Sequence, residues 1–343
     1  MGFTRRDALR VTIGGGVLAA LSPTLVACGS SQAKGQSTGA SLTNLPLQLS
    51  WLNGAEWGGT YIARERGYHR AAGLNVEISP GGPQVSVEPR LATGKAVVGM
   101  TYGYGAASAN ANGAGIRIIG AHFQKSPNGI ASLASAPITD PHQLVGKKLG
   151  VSASSVASMK AFLEHAGVDP SKVKFVPVQD DLSPLANHQV DAFGAYLTDT
   201  AKLNAKGIKT NFMFRSDFGY GDMPDVYGVT TKTLATHRAE IVSFLRAELR
   251  GWQDFVKDPA YGARLAVQKY GQGLGLDLAE QTVEARLYGT LVTGGDPTFT
   301  NLFQISKATK QQVVASVTAA GIKTTEAELF DDSVLNEARG GHG

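Results

Sequence analysis

The chain has 343 residues, a formal charge of +4 and an apolar fraction of 43%. That apolar fraction is enough for a buried core and excludes a disordered chain. Removing a leader with three Arg and one Asp leaves a charge of +2, too near neutral to point to nucleic acid as partner.

Residues 1–27 read as a leader. Arg5, Arg6 and Arg10 give a positive start, and the apolar run from Val11 to Leu21 is too short to span a bilayer. The Arg5-Arg6 pair followed by Leu9 resembles a twin-arginine export motif, with Ala8 departing from it; general secretory export stays open. Leu25-Val26-Ala27-Cys28 resembles a bacterial lipobox, which implies lipidation of Cys28 and cleavage before it. Cys28 is the one cysteine of the chain, so no intramolecular disulfide can form. Residues 28–44 are expected to be a flexible tether.

About 300 residues remain, enough for two lobes. Period-two alternation predicts strands at Leu47–Trp51 and Leu74–Ile78, with a helix from Ala55 to Arg66 stopped by Gly67. Pro80-Gly81-Gly82-Pro83 breaks the second strand. A helix ending at Leu91, strands at Ala96–Met100 and Ile116–Ile119 follow. A second unit starts near residue 126. It holds a short helix capped by Asp140-Pro141, strands at Lys148–Val151, Val173–Val178, Asp191–Leu197 and Ile208–Phe214, and a helix from Ser154 to Ala166. Tyr227–Thr230 reads as a return strand, after which helices are expected at about 233–257, 260–270, 277–291 and 306–320. Strand–helix alternation predicts an α/β fold with mostly parallel sheets covered by helices. Two such sheets make a two-lobed clamp: residues 45–125 plus 226–343 form lobe 1, and 126–225 form lobe 2. A ligand is expected in the crevice at the carboxyl ends of the strands.

The segments Leu47–Val85, His142–Ser155, Asn187–Ile208 and Phe244–Pro259 resemble, in order, bacterial solute-binding proteins of the group that takes thiamine pyrimidine precursors, riboflavin, sulfonates or nitrate. The resemblance implies a periplasmic-binding-protein-like clamp that serves an ABC permease and its ATPase. It implies a monomer outside the cytoplasmic membrane, held there by the lipid on Cys28. The stretches SWLNGAEWGGTY, PGGP and HFQKS resemble the pyrimidine and riboflavin branches more than the sulfonate binders.

A flat heteroaromatic ligand needs rings to stack on and a few polar groups to orient it. Trp51, Glu56, Trp57, Tyr61, Thr101, Tyr102 and Gln124 fall at strand ends or helix starts of lobe 1. Ser152, Ser154, Ser155, Tyr196 and Asp199 do so in lobe 2, and Tyr227 flanks the return crossing. Each has a plain alternative: core packing for Trp51, Trp57 and Tyr61, core or surface for Tyr102, helix capping for the serines and Asp199, a loop role for Tyr227. No cofactor or metal is expected. The main rival within the family is a sulfonate, taurine or nitrate binder, which would want basic groups converging on an oxyanion. Lys125, Arg90 and Arg215 are the cations that could supply them. Enzymes that make the thiamine pyrimidine share this fold but use a cysteine-rich motif, and the chain has no cysteine beyond Cys28. His69 and His122 read as core or surface residues rather than catalytic ones, and no internal repeat marks an adhesive stalk.

Overall fold

The computed structural model describes residues 41–178 and 182–340, apart from the side chains of Ser154 and Ala205. Cys28 and the leader lie outside the described residues. Two five-stranded sheets organise the rest. Sheet one holds β1 (Thr43–Gln48), β2 (Leu74–Ser79), β3 (Val98–Thr101), β4 (Ile116–Ala121) and β10 (Val226–Thr230) in the order β2-β1-β3-β10-β4. Sheet two holds β5 (Asn128–Leu133), β6 (Lys148–Val151), β7 (Lys174–Pro177), β8 (Ala192–Tyr196) and β9 (Thr210–Phe214) in the order β7-β6-β8-β5-β9. The chain thus leaves the first sheet after β4 and returns to it as β10.

Both sheets are mixed. β10 runs antiparallel to β3 and β4, and β5 runs antiparallel to β8 and β9, while β1, β2 and β3 pair in parallel, as do β6, β7 and β8. In each sheet one strand opposes four. The strands are apolar on both faces because both faces are covered. Leu45, Leu47 and Val98 pack with Trp252, Phe244 and Phe255 of the long helix Thr231–Lys257, whereas Ile116, Ile118 and Val226 pack with Leu91 and Val313 on the other side. In the second sheet Ile130 and Leu149 meet Phe162, and Ala131 and Phe193 meet Leu185.

Glycine lets two helices of the first lobe approach closely. A Cβ on Gly251 would lie 2.3 Å from the Gly59 carbonyl oxygen, and one on Gly59 would lie 2.2 Å from the Trp252 ring. Helix Gly58–Glu65 therefore sits against helix Thr231–Lys257 with backbone nearly touching backbone. Beneath this contact Glu248 is fully buried, bonded to His69 Nε2 at 2.8 Å, to the Thr60 hydroxyl at 2.6 Å and to the Tyr227 hydroxyl at 2.9 Å.

Several expected boundaries shift. The first strand ends at Gln48, so Trp51 lies beyond it rather than at its last position. The helix expected from Ala55 begins as a 3-10 turn over Ala55–Trp57 and becomes α-helical at Gly58. Strand β5 and helix Gly103–Ala111 were not expected at all. Among the described residues no helix is long and apolar enough to cross a membrane.

Candidate functional site

A cavity of about 350 Å³ lies between the two sheets. Strand ends build it. Ser50 and Trp51 follow β1, Tyr102 follows β3, Ser152 and Ser155 follow β6, and Tyr196, Thr198 and Asp199 end or follow β8. The opposing strands contribute through their starts: Asp225 immediately precedes β10, and Asn128 and Gly129 open β5. An antiparallel strand begins where its parallel neighbours end, so its first residues reach the same crevice.

Among the described residues, five aromatic rings line the walls. Trp51 and Tyr102 are exposed into the crevice, and Tyr196, Phe193 and Tyr288 line it from the other sides. Tyr288 comes from helix Leu278–Thr293, its ring stacked on Phe123 at 5.9 Å. Burial pushes the Tyr196 and Tyr288 phenols well above their ordinary range, so both are neutral donors at physiological pH.

Among the described polar lining residues are three carboxyls, Glu56, Asp199 and Asp225, beside several hydroxyls. Glu56 is buried, and burial together with the neighbouring Asp225 carboxyl raises its affinity for a proton well above that of a free carboxylate. Burial lifts Asp225 to about 6, against the opposing pull of hydrogen bonds from Ser50 and Glu56. The Ser50 hydroxyl donates to Asp225 Oδ1 at 2.5 Å. Asp225 also takes a left-handed backbone conformation, with φ of 54°. Asp199 accepts the Tyr196 backbone N–H at 2.8 Å, so it shapes the loop as well as lining the cavity.

Arg215 is the only Lys or Arg among the described residues that line the cavity. It follows β9, and its guanidinium is already engaged, 2.5 Å from Asp222 and donating to the Ser158 hydroxyl at 2.9 Å. Arg90 and Lys125 do not line the cavity.

Of the residues expected in the cleft, the structure brings together Trp51, Glu56, Tyr102, Ser152, Ser155, Tyr196 and Asp199. The Ser152 hydroxyl donates to that of Ser155 at 3.0 Å. The side chain of Ser154 lies outside the described residues. Five others sit elsewhere. Trp57 is core, with its ring against His122 and its indole N–H donating to the Leu52 carbonyl at 3.1 Å. Tyr61 is core, stacked on Tyr270 at 3.9 Å. Tyr227 is core and serves Glu248. Thr101 is fully buried and donates to Glu88. Gln124 lines a separate hollow at the crossing segments and donates to the Gln304 carbonyl at 3.0 Å.

A physical reason covers Trp57 and Tyr61. They lie four residues apart and share a helix face, and that face turns to the core. Glu56, one residue earlier and about 120° around the 3-10 turn, faces the cavity. The contributions of Asp225, Asn128 and Tyr288 were not anticipated. A rule that looks only at carboxyl ends of strands misses the first two, and nothing in the local sequence of Tyr288 marks it. Among the described residues no cluster of His, Cys, Asp and Glu could hold a metal ion.

Comparison with known proteins adds four findings. The family described as NMT1/THI5 like matches residues 55–261. The formylaminopyrimidine-binding protein of Halalkalibacterium halodurans is 24% identical over 238 residues, covering 67% of this chain and 72% of that protein. The riboflavin-binding protein RibY of Chloroflexus aurantiacus is 21% identical over 261 residues, covering 72% of each. In fold, the chain resembles a putative periplasmic sulfonate-binding protein of a sulfonate ABC transporter from Methylobacillus flagellatus KT, with a TM-score of 0.64 at 14% identity over 87% of this chain and 94% of that one.

Proposed function

This chain belongs to the NMT1/THI5-like family, and from that premise we propose that it is the extracytoplasmic solute-binding component of an ABC importer, capturing a small heteroaromatic amine of the pyrimidine class between its lobes. The reading rests on one observation above all. The cavity is walled by aromatic rings, and its one cation among the described residues is tied to Asp222. Such a site can stack a flat ring and accept its N–H groups, and it lacks the free positive charge an oxyanion wants. Its size, about 350 Å³, is at the small end of the range for small-molecule sites and suits one ring better than three. The relatives named for formylaminopyrimidine and riboflavin support the same class.

Residues 45–125 plus 226–343 act as one lobe and 126–225 as the other in this reading. A ligand touching both favours the closed arrangement because only that arrangement engages it from two sides. Lipidation of Cys28 would hold the monomer at the membrane beside its permease, since several acyl chains on one residue make attachment stable.

A thermal-shift screen tests the proposal. The panel holds formylaminopyrimidine, hydroxymethylpyrimidine, thiamine, riboflavin, taurine, an alkanesulfonate and nitrate. A ligand at about 100 times its dissociation constant adds roughly 2.7 kcal/mol of stability. A shift with a pyrimidine supports the reading. A shift with taurine, the sulfonate or nitrate alone overturns it in favour of an oxyanion binder. A shift with riboflavin alone keeps the aromatic cleft but replaces the one-ring ligand.

A further inference from the structure

We propose that Glu56 and Asp225 hold one proton between them, and that this shared proton reads the ligand's edge, selecting a heterocycle with a ring nitrogen beside an exocyclic amine. The inference rests on the pyrimidine-class reading above and says which face of the ring is recognised.

The geometry is a pair of buried carboxyls on one cavity wall. The Ser50 hydroxyl donates to Asp225 Oδ1 at 2.5 Å, and Glu56 and Asp225 line the same cavity, close enough that Asp225 strengthens the hold of Glu56 on a proton. Two neighbouring carboxylates in a buried site cannot both be ionised, so one keeps a proton. Ser50 already donates to Asp225, which stabilises the charge there and leaves the proton with Glu56. Both residues line the cavity.

The pair is held firmly. The 3-10 turn bearing Glu56 is pinned to the helix Leu278–Thr293, because Ala55 donates its backbone N–H to Gln281 at 2.7 Å and Gln281 donates to Glu284 at 2.8 Å. Asp225 is fixed by its carbonyl, which accepts the His122 backbone N–H at 2.9 Å. The other titratable groups that act on Glu56 are Glu284 from the same helix and Asp199 from the second lobe, both of which reinforce retention of its proton. Tyr61, Tyr102, Tyr196 and Tyr288 have phenols raised by burial and stay neutral beside the pair. Lys202 pairs with Glu280 at 3.1 Å and Arg215 with Asp222, so neither is placed to discharge the pair.

A protonated carboxyl beside a carboxylate offers one O–H donor and several acceptor oxygens. A 4-aminopyrimidine offers the complement: its ring nitrogen accepts the O–H, and its amine donates to a carboxylate oxygen. No covalent bond is made: on binding, the Glu56 O–H turns from Asp225 to the ring nitrogen, and the ligand's amine N–H replaces it as donor to the Asp225 carboxylate. A 4-oxopyrimidine reverses the pattern, placing N–H against O–H, and leaves buried polar groups unpaired.

Calorimetric titrations of the purified protein with formylaminopyrimidine and with its 4-oxo counterpart, from pH 5 to pH 10, test this. The amine should bind about tenfold or more tightly than the oxo compound. Wild-type affinity should fall on the alkaline side as Glu56 loses its proton. Glu56→Gln should lose that alkaline fall, because an amide donates without titrating. Asp225→Asn tolerates the left-handed backbone; by removing a neighbouring negative charge it should move the fall to lower pH. The ligand's own titration is common to all variants and cancels in the comparison. Equal binding of amine and oxo compounds, or an alkaline fall unchanged in Glu56→Gln, overturns the inference while leaving the pyrimidine reading intact. Failure of wild type to bind either compound at any pH overturns both.

Discussion

At the scale of single residues, three tryptophans divide into two kinds. Trp51 is exposed into the crevice, whereas Trp57 and Trp252 are fully buried. Trp51→Ala should leave unfolding unchanged within about 0.5 kcal/mol and weaken ligand binding by about tenfold or more, as loss of a stacking ring implies. Trp57→Ala should lower stability by about 3–5 kcal/mol through the cavity it opens. Denaturant unfolding beside calorimetry separates the two, and Trp57→Ala that binds poorly yet unfolds like wild type would contradict the core placement. His122 carries a second residue-scale consequence. It is fully buried between aromatic rings with no hydrogen bond to either ring nitrogen, and burial depresses it to about 3. The unfolded chain binds that proton near the ordinary value of about 6.5. Its contribution is therefore fully present above pH 6.5 and shrinks as pH falls toward 3. Asp225 works the other way, gaining a proton more readily in the fold and favouring it as pH falls through 6. His122→Phe should flatten the acid side of the stability profile, and a profile as steep as wild type's would show that His122 is not the group responsible.

At the scale of elements, close helix contact dominates lobe 1. Gly251→Ala places a methyl group 2.3 Å from the Gly59 carbonyl oxygen, a backbone atom that cannot swing away. The two helices must separate, at a cost of about 1–3 kcal/mol, read as a drop in melting temperature. An unchanged melting temperature would mean that the helices slide apart freely. The same scale shows how much of the fold was legible. The four helices expected after β10 carry apolar residues at helical spacing and lie where periodicity placed them, that expected at 233–257 running Thr231–Lys257, while the short helices Glu326–Leu329 and Ser333–Ala338 lie beyond what was expected. Helix Gly103–Ala111 is GYGAASANA, too rich in small residues for an apolar stripe to show. Strand β5 is NGIASL, where Gly, Ala and Ser blur the alternation, and it became visible only through its pairing with β8 and β9. Missing β5 hid Asn128 and Gly129 from the site. Asp225 was hidden by the direction of β10 although that strand itself was expected. Arg215 follows β9 at the end where a cleft residue belongs; its partner Asp222 comes from the crossing loop, and that pairing decides whether its charge is available.

At the scale of the molecule, two sheets joined by two crossing segments form one cavity with residues from both. The lobes also touch directly: Lys202 of the second pairs with Glu280 of the first, and at the cavity wall Thr198 contacts the Tyr288 hydroxyl at 3.4 Å. Exposed ion pairs of this kind are worth at most about 1 kcal/mol, so closure depends chiefly on what fills the crevice. The central claim is therefore about chemistry: aromatic walls and carboxyls for a nitrogen heterocycle, and no free cation among the described lining residues for an oxyanion. The most direct test is a calorimetric titration of one preparation with formylaminopyrimidine and then with ethanesulfonate. The account predicts saturable one-to-one binding of the pyrimidine, at a dissociation constant of about 1 μM or below, equivalent to roughly −8 kcal/mol, and no heat of binding with the sulfonate. Tight binding of the sulfonate with none of the pyrimidine would contradict it.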